Sequence, residues 1–208
     1  MHHVERILDI YPNFWRGIGE IMSRHDDLTA FTYREPPHID GSGFCGIYDL
    51  AVERGLPVLV HHNVTVVGTE KILYTRELEA ALAHNRSCKI IWAHVGISRR
   101  VEVKGLIAIA DRLLANNENL WVDISWLVYD YYFLDRFPTG FPDGDTLDDW
   151  VALIEKYPTR VMVGTDKVGH WATYPEEVVK YYTLLDKLKP ATAAKICREN
   201  ILSLIKNY

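Results

Sequence analysis

An α/β fold built on a parallel sheet is what this sequence predicts, and three observations predict it. Short apolar runs recur along the chain, and each stops at a histidine or a carboxylate. Pro57 to Asn63 reads PVLVHHN, Lys89 to Gly96 reads KIIWAHVG and Arg160 to Asp166 reads RVMVGTD, while Leu120 to Ser125 (LWVDIS) and Phe14 to Glu20 (FWRGIGE) have the same form. The runs are continuous in Val, Ile and Leu, as in strands covered on both faces. The intervals between them hold a helix and two loops, the spacing of parallel βαβ units. Five such strands set Glu20, His61, His94, Asp123 and Asp166 on one rim, the carboxyl-end rim where parallel barrels carry their chemistry.

The intervening helices follow from apolar spacing. Ile47, Leu50 and Ala51 define a helix from Ile47 to Arg54, ended by Gly55. Leu78, Ala81 and Leu82 share a face between Thr75 and His84, and Leu106, Ile109, Ala110, Leu113 and Leu114 do so between Val101 and Ala115. Thr146, followed by Asp148 and Asp149, opens a helix through Val151, Leu153 and Ile154, since acidic charge favours a helix N-terminus. Thr173-Tyr-Pro-Glu176 has the form of a capping box with Pro175 in the first turn, ahead of Val178, Val179, Tyr182 and Leu185. Pro190 interrupts the chain, and Ala191 to Lys206 forms a last amphipathic helix. Two connections are long. Ser23 to Gly46 contains REPPHIDGSG, and Trp126 to Asp145 is crowded with Tyr129, Tyr131, Tyr132, Phe133, Phe137 and Phe141. Long loops in compact domains serve as lids or binding loops, or lie on the surface over their own small aromatic cluster. No linker or low-complexity segment interrupts residues 1–208, so one domain is expected.

Composition narrows the function classes. Hydrophobic residues at 48% and charged residues at 25% are ordinary globular usage, which argues against disorder. A net charge of −5 gives no phosphate-tracking surface, so no nucleic-acid partner is expected. Cys45, Cys88 and Cys197 are odd in number and in no metal or redox spacing, which favours a reducing, cytoplasmic setting. No apolar stretch approaches the roughly 18 residues of a membrane span, and no signal-peptide pattern is visible. The nucleotide-binding GxGxxG and GxxxxGK[ST] patterns and the GxSxG elbow are all missing from the sequence.

The strand ends carry the chemistry. A single histidine at a strand end is usually structural, but His61 and His94 occupy equivalent places and Asp166 a third. Imidazole and carboxylate donors suit zinc or a similar divalent ion, and three protein ligands leave room for a reactive water. A divalent ion lowers the pKa of bound water to about 7. A neighbouring carboxylate, here Asp166, can take the proton and return it to the leaving group. His62 adjoins His61 and would face the other way on a strand, so it is read as a loop or supporting residue. Glu20 can bridge two ions, orient a water, or pair with Arg16 or Arg24. Asp123 can bind substrate, support a ligand histidine, or cap the next helix.

LPVLVHH, KIIWAHVG, LWVDISW, RVMVGTD and the closing ENILSLI resemble the later strands and last helix of the amidohydrolase-related family of the amidohydrolase superfamily. That resemblance implies a (β/α)8 TIM barrel with divalent metal at the carboxyl ends of its strands. By position it implies metal ligands at Glu20, His61, His94 and Asp166, with Asp166 also the catalytic proton shuttle. His62, Asp123 and Arg24 would serve in substrate binding or in support of the ligands. Zinc is the expected ion, with manganese or iron as alternatives. The implied function is hydrolysis of a small amide, ester or lactone. The alternatives are metal-dependent decarboxylation, a TatD-like metal-dependent nuclease suggested by GIGEI, or a barrel fragment without activity. One departure is plain: the His-x-His of the family's first strand occurs nowhere, since His2-His3 and His61-His62 are adjacent pairs. Met1 to Tyr11 instead reads as the helix before the fourth strand. If eight units need about 250 residues, three missing ones account for roughly 90. The chain is therefore expected to form the last five-eighths of a barrel, a partial barrel of about five parallel strands whose open edge invites self-association.

Overall fold

The computed structural model describes residues 2–25, 36–66, 69, 71–97, 103–125, 128, 146–169 and 171–205. Five strands form a single sheet in chain order, every neighbouring pair parallel: β1 (Ile18–Met22), β2 (Val58–His61), β3 (Ile90–Trp92), β4 (Leu120–Asp123) and β5 (Val161–Met162). Helix α1 (His2–Ile10) precedes β1, and α2 (Ser42–Arg54), α3 (Thr75–His84), α4 (Leu106–Asn116) and α5 (Leu147–Lys156) fill the four crossovers. After β5 come α6 (Tyr174–Lys180), α7 (Tyr182–Leu185) and a last helical stretch made of α8 (Pro190–Ala194), a π-helical turn (Lys195–Glu199) and α9 (Asn200–Leu204). This is the expected open five-strand α/β arrangement. The aromatic run from Tyr129 to Phe141 lies outside the described residues.

Strand alternation sorts the side chains onto two faces. Val58, Val60, Ile90, Trp92, Leu120 and Val122 are buried against Tyr48 and Ala51 of α2, Leu78 and Leu82 of α3, Leu106 and Leu113 of α4, and Trp150 and Ile154 of α5. The opposite face carries Leu59, Ile91, Trp121 and Met162, covered by Ile201 and Leu204 of the last helix. His61 follows Leu59 on this second face and Asp123 follows Trp121, so the smaller cluster leads directly to the functional rim.

Local chemistry explains where elements begin and end. Gly55 closes α2 in the left-handed region at φ 66°, its N–H reaching the carbonyls of Ala51 and Val52. Thr146 caps α5 reciprocally: its hydroxyl accepts from the Asp149 N–H while its own N–H donates to Asp149 Oδ2. The expected box at Thr173 differs, because Thr173 makes no side-chain cap bond although Pro175 does sit in the first turn. Pro190 starts a helix instead of interrupting one, as its fixed φ permits at a first helical position. β1 lies later than the FWRGIGE run suggests, since Asn13 turns through φ 63° and the ladder opens only with Ile18 N–H to Pro57 O at 2.9 Å. Glu20 is therefore mid-strand. β1 also packs unusually close to β2 at Gly19, where a Cβ would stand 2.6 Å from Leu59 O.

Among the described residues, most exposed large apolar side chains lie in two stretches, Met22, Ile72 and Leu73 standing apart. Ile10, Tyr11, Phe14 and Trp15 lie just before β1, and Val168, Trp171, Tyr174, Val179 and Tyr182 follow β5. No helix among the described residues is long and apolar enough to cross a membrane.

Candidate metal centre

Glu20 in β1, His61 at the end of β2 and His94 just after β3 converge on one point. One ligand atom from each lies within 4.8 Å of the other two. Glu20 Oε1 is 2.9 Å from His61 Nδ1 and 3.9 Å from His94 Nε2, and the two imidazoles approach to 2.8 Å between His61 Nδ1 and His94 Nε2. The second nitrogen of His61, Nε2, donates to Asn63 Oδ1 at 3.0 Å, because an amide oxygen can only accept. In the neutral ring, Nδ1 then turns a lone pair toward a carboxylate oxygen and another imidazole nitrogen. Such a convergence calls for a proton or a cation at its centre.

The donor set fits a divalent ion. Desolvation holds the His94 pKa well below the usual imidazole value, and the neighbouring charges of His61 and His25 push it the same way. The neutral imidazole is the form that binds metal. Two such nitrogens and a carboxylate match zinc and its relatives while leaving coordination positions open.

His94 reaches this place through an unusual turn. It and Val95 adopt left-handed backbone at φ 39° and 50° within a 3-10 turn over Ala93–Gly96, a conformation that costs non-glycine residues about 1–2 kcal/mol each. Two contacts hold it. The His94 N–H donates to Asp123 Oδ1 at 3.0 Å. Gly96 presses against Trp92, and a Cβ there would lie 2.3 Å from the indole ring. Trp92 in turn donates its indole N–H to His62 O at 2.8 Å. Strain held this firmly beside a cluster of donors is a common property of functional sites.

The other expected residues take different places. His62 is fully buried, with Nε2 2.9 Å from Tyr74 O and Nδ1 3.2 Å from Ser23 Oγ, and burial lowers its pKa to about 4. Arg24 grips Glu77 with two hydrogen bonds of 2.6 and 3.1 Å and lies over the Tyr74 ring at 4.3 Å. Glu77 also groups with His38 and Asp40, but the Arg24 guanidinium already supplies positive charge there. Asp123 holds the His94 turn, and burial raises its carboxyl pKa, with Glu20's charge adding to the effect against the N–H and O–H donors on it. Asp166 lies beyond β5, exposed, with left-handed backbone at φ 48°, and is outside the group formed by Glu20, His61 and His94.

Two neighbours of the centre escape strand-end reasoning. His25 is buried and its ring lies 4.3 Å from that of His61, the planes 31° apart. Asn63 sets the His61 tautomer. Their signal was positional: His25 follows β1 by a few residues, and Asn63 stands two residues beyond His61, on the same side under alternation.

Comparison with known proteins bears on the fold and the family. No curated protein matches the chain. Among solved structures, a dihydroorotase from Campylobacter jejuni is similar with a TM-score of 0.64 and 15% identity, over 98% of this chain and 62% of its own. An amidohydrolase from Burkholderia multivorans with bound zinc gives 0.59 and 15%, over 98% and 69%. The 5-carboxyvanillate decarboxylase LigW from Sphingomonas paucimobilis gives 0.52 and 12%, over 100% and 62%. The chain thus spans about two thirds of the length of these structures, and the likeness is one of fold. The model of the Amidohydrolase family matches residues 20–205, nearly the whole chain from Glu20 onward. This protein therefore belongs to the amidohydrolase family.

Proposed function

We propose that the chain acts as a metal-dependent hydrolase on a small carbonyl substrate, an amide, ester or lactone. The observation supporting this is the convergence of Glu20 within β1, His61 at the end of β2 and His94 just after β3, on three adjacent parallel strands. A divalent ion there, zinc in the first instance, supplies Lewis acidity and an activated water. Glu20, His61 and His94 would hold it. Asn63 keeps the proton of His61 on Nε2, the His25 ring limits rotation of His61, and Asp123 fixes the backbone that presents His94. Asp166, at the β5 end, is assigned the transfer of a proton to the leaving group.

A second reading is non-oxidative decarboxylation. It is favoured by the placement of Asp166 outside the donor group, because loss of carbon dioxide does not require a water to be deprotonated. The decarboxylase among the similar structures has the same fold.

A substrate panel on zinc-loaded protein separates the two. Nitrophenyl esters, anilides and lactones report hydrolysis by acid release, and hydroxybenzoates report decarboxylation by carbon dioxide release. Hydrolysis that disappears on chelation, returns with zinc, and falls at least about 100-fold in Asp166→Asn supports the first reading. Hydrolysis indifferent to chelation contradicts it.

A further inference from the structure

We infer that Asp123 is a specificity residue whose Oδ2 accepts a hydrogen bond from an N–H or O–H carried beside the reacting carbonyl, so that the site prefers donor-bearing substrates such as amides and hydroxy acids over simple esters. This deepens the metal-hydrolase reading and rests on it.

The two oxygens of Asp123 have unequal duties. Oδ1 accepts from the His94 N–H at 3.0 Å, from the Ser125 N–H at 2.9 Å and from the Ser125 hydroxyl. Oδ2 receives none of these. Three donors on one oxygen fix the carboxyl in its plane and leave the other oxygen aimed in one direction. Asp123 closes β4 on the face it shares with Trp121, half-buried rather than sealed, and near enough to Glu20 to feel its charge. Beside Oδ2 stands Gly164, whose absent side chain keeps the approach open. A Cβ there would lie 3.6 Å from Oδ2 and 3.2 Å from Ser125 Cβ. A hydrogen bond from a ligand N–H or O–H to a carboxylate oxygen is charge-assisted and stronger than one between neutral groups. Sites built around a hydrogen bond also discriminate strongly against analogues lacking the matching group. The same oxygen repels ligands that present only acceptors.

Asp123→Asn isolates this role, because the amide oxygen can keep the three donors now on Oδ1 while an NH2 replaces Oδ2. The probes are acetohydroxamate, which carries an N–H beside its metal-binding oxygens, and N-methylacetohydroxamate, which does not. Binding of each to the zinc-loaded full chain is measured by calorimetry, with zinc content determined on the same samples. The native chain should prefer the N–H probe by at least about tenfold, and Asp123→Asn should bring the ratio to about one with zinc content unchanged. Gly164→Ala, whose methyl would lie 3.6 Å from Oδ2 and more tightly, at 3.2 Å, against Ser125 Cβ, fills the approach to Oδ2 and should also reduce the ratio, which gives an independent reading if the Asn variant folds poorly. Zinc retained with no N–H preference, or a preference that survives both substitutions, overturns the Asp123 assignment alone. A native chain that retains no zinc overturns the metal centre, and this assignment with it.

Discussion

His61 Nδ1 lies 2.8 Å from His94 Nε2, although His61 ends β2 and His94 is itself a left-handed residue in the turn after β3. With Glu20 Oε1 2.9 Å from the same Nδ1, a carboxylate oxygen and two imidazole nitrogens are drawn to one point. The surrounding contacts maintain this: Asn63 Oδ1 accepts from the Nε2–H of His61, the His25 ring lies against that of His61, and Asp123 secures the backbone of His94. The contacts that hold Glu20, His61 and His94 thus come from β1 through β4 and the segments that follow them.

Burial of His62 predicts acid sensitivity. Its pKa falls from the ordinary 6.5 to about 4 on folding, so the folded state favours the neutral ring. The corresponding stability is fully present above pH 6.5, declines as the pH drops, and is gone below about pH 4. The limit is on the order of 3 kcal/mol. Denaturant titrations at stepped pH should show native stability falling over this window, with a shallower fall in His62→Gln. Parallel curves would contradict the assignment.

Close packing at Gly19 predicts a large cost for the smallest substitution. A Cβ there would meet Leu59 O at 2.6 Å and Leu59 Cβ at 2.7 Å, with backbone φ at 149°. Gly19→Ala should destabilise by about 2–3 kcal/mol and weaken metal binding through displacement of Glu20. Gly43→Ala, where a Cβ meets nothing within 4 Å, is the control. Equal stability of the two variants would count against the close approach of β1 and β2.

The Arg24–Glu77 pair predicts a structural effect separable from the centre. Both side chains are mostly buried, at 11% and 17% exposure, so loss of the carboxylate charge leaves a poorly solvated guanidinium. Glu77→Gln should cost about 2 kcal/mol in unfolding free energy while zinc content stays at the native level. A loss of zinc without a loss of stability would instead make Arg24 and Glu77 part of the metal site.

The strand order and the identity of the converging residues were legible in the sequence, because parallel strands write themselves as apolar runs and end in their polar groups. Thr75–His84 emerges with the bounds its spacing suggests. The limits of β5 were not legible. RVMVGTD reads as one strand, yet the Val163 N–H turns away to Ile196 O at 2.9 Å, in the π turn of the last helix, and the ladder stops at Met162. That partner lies far along the chain, so no local pattern announces it. The same applies to His94, whose left-handed backbone runs against its own residue preferences and exists because Asp123 and Trp92 hold it. It also applies to Asp166, which the residue pattern groups with the histidines and the turn after β5 sets apart.

The central claim is that Glu20, His61 and His94 form a metal site, and zinc stoichiometry tests it most directly. Native chain and His94→Ala, each loaded with zinc, dialysed and analysed by inductively coupled plasma mass spectrometry, should differ sharply: close to one zinc per native chain, and at least about tenfold less in the variant. Equal zinc in both, or only traces in the native chain, would mean that the convergence is held by a shared proton and that the centre is not a metal site.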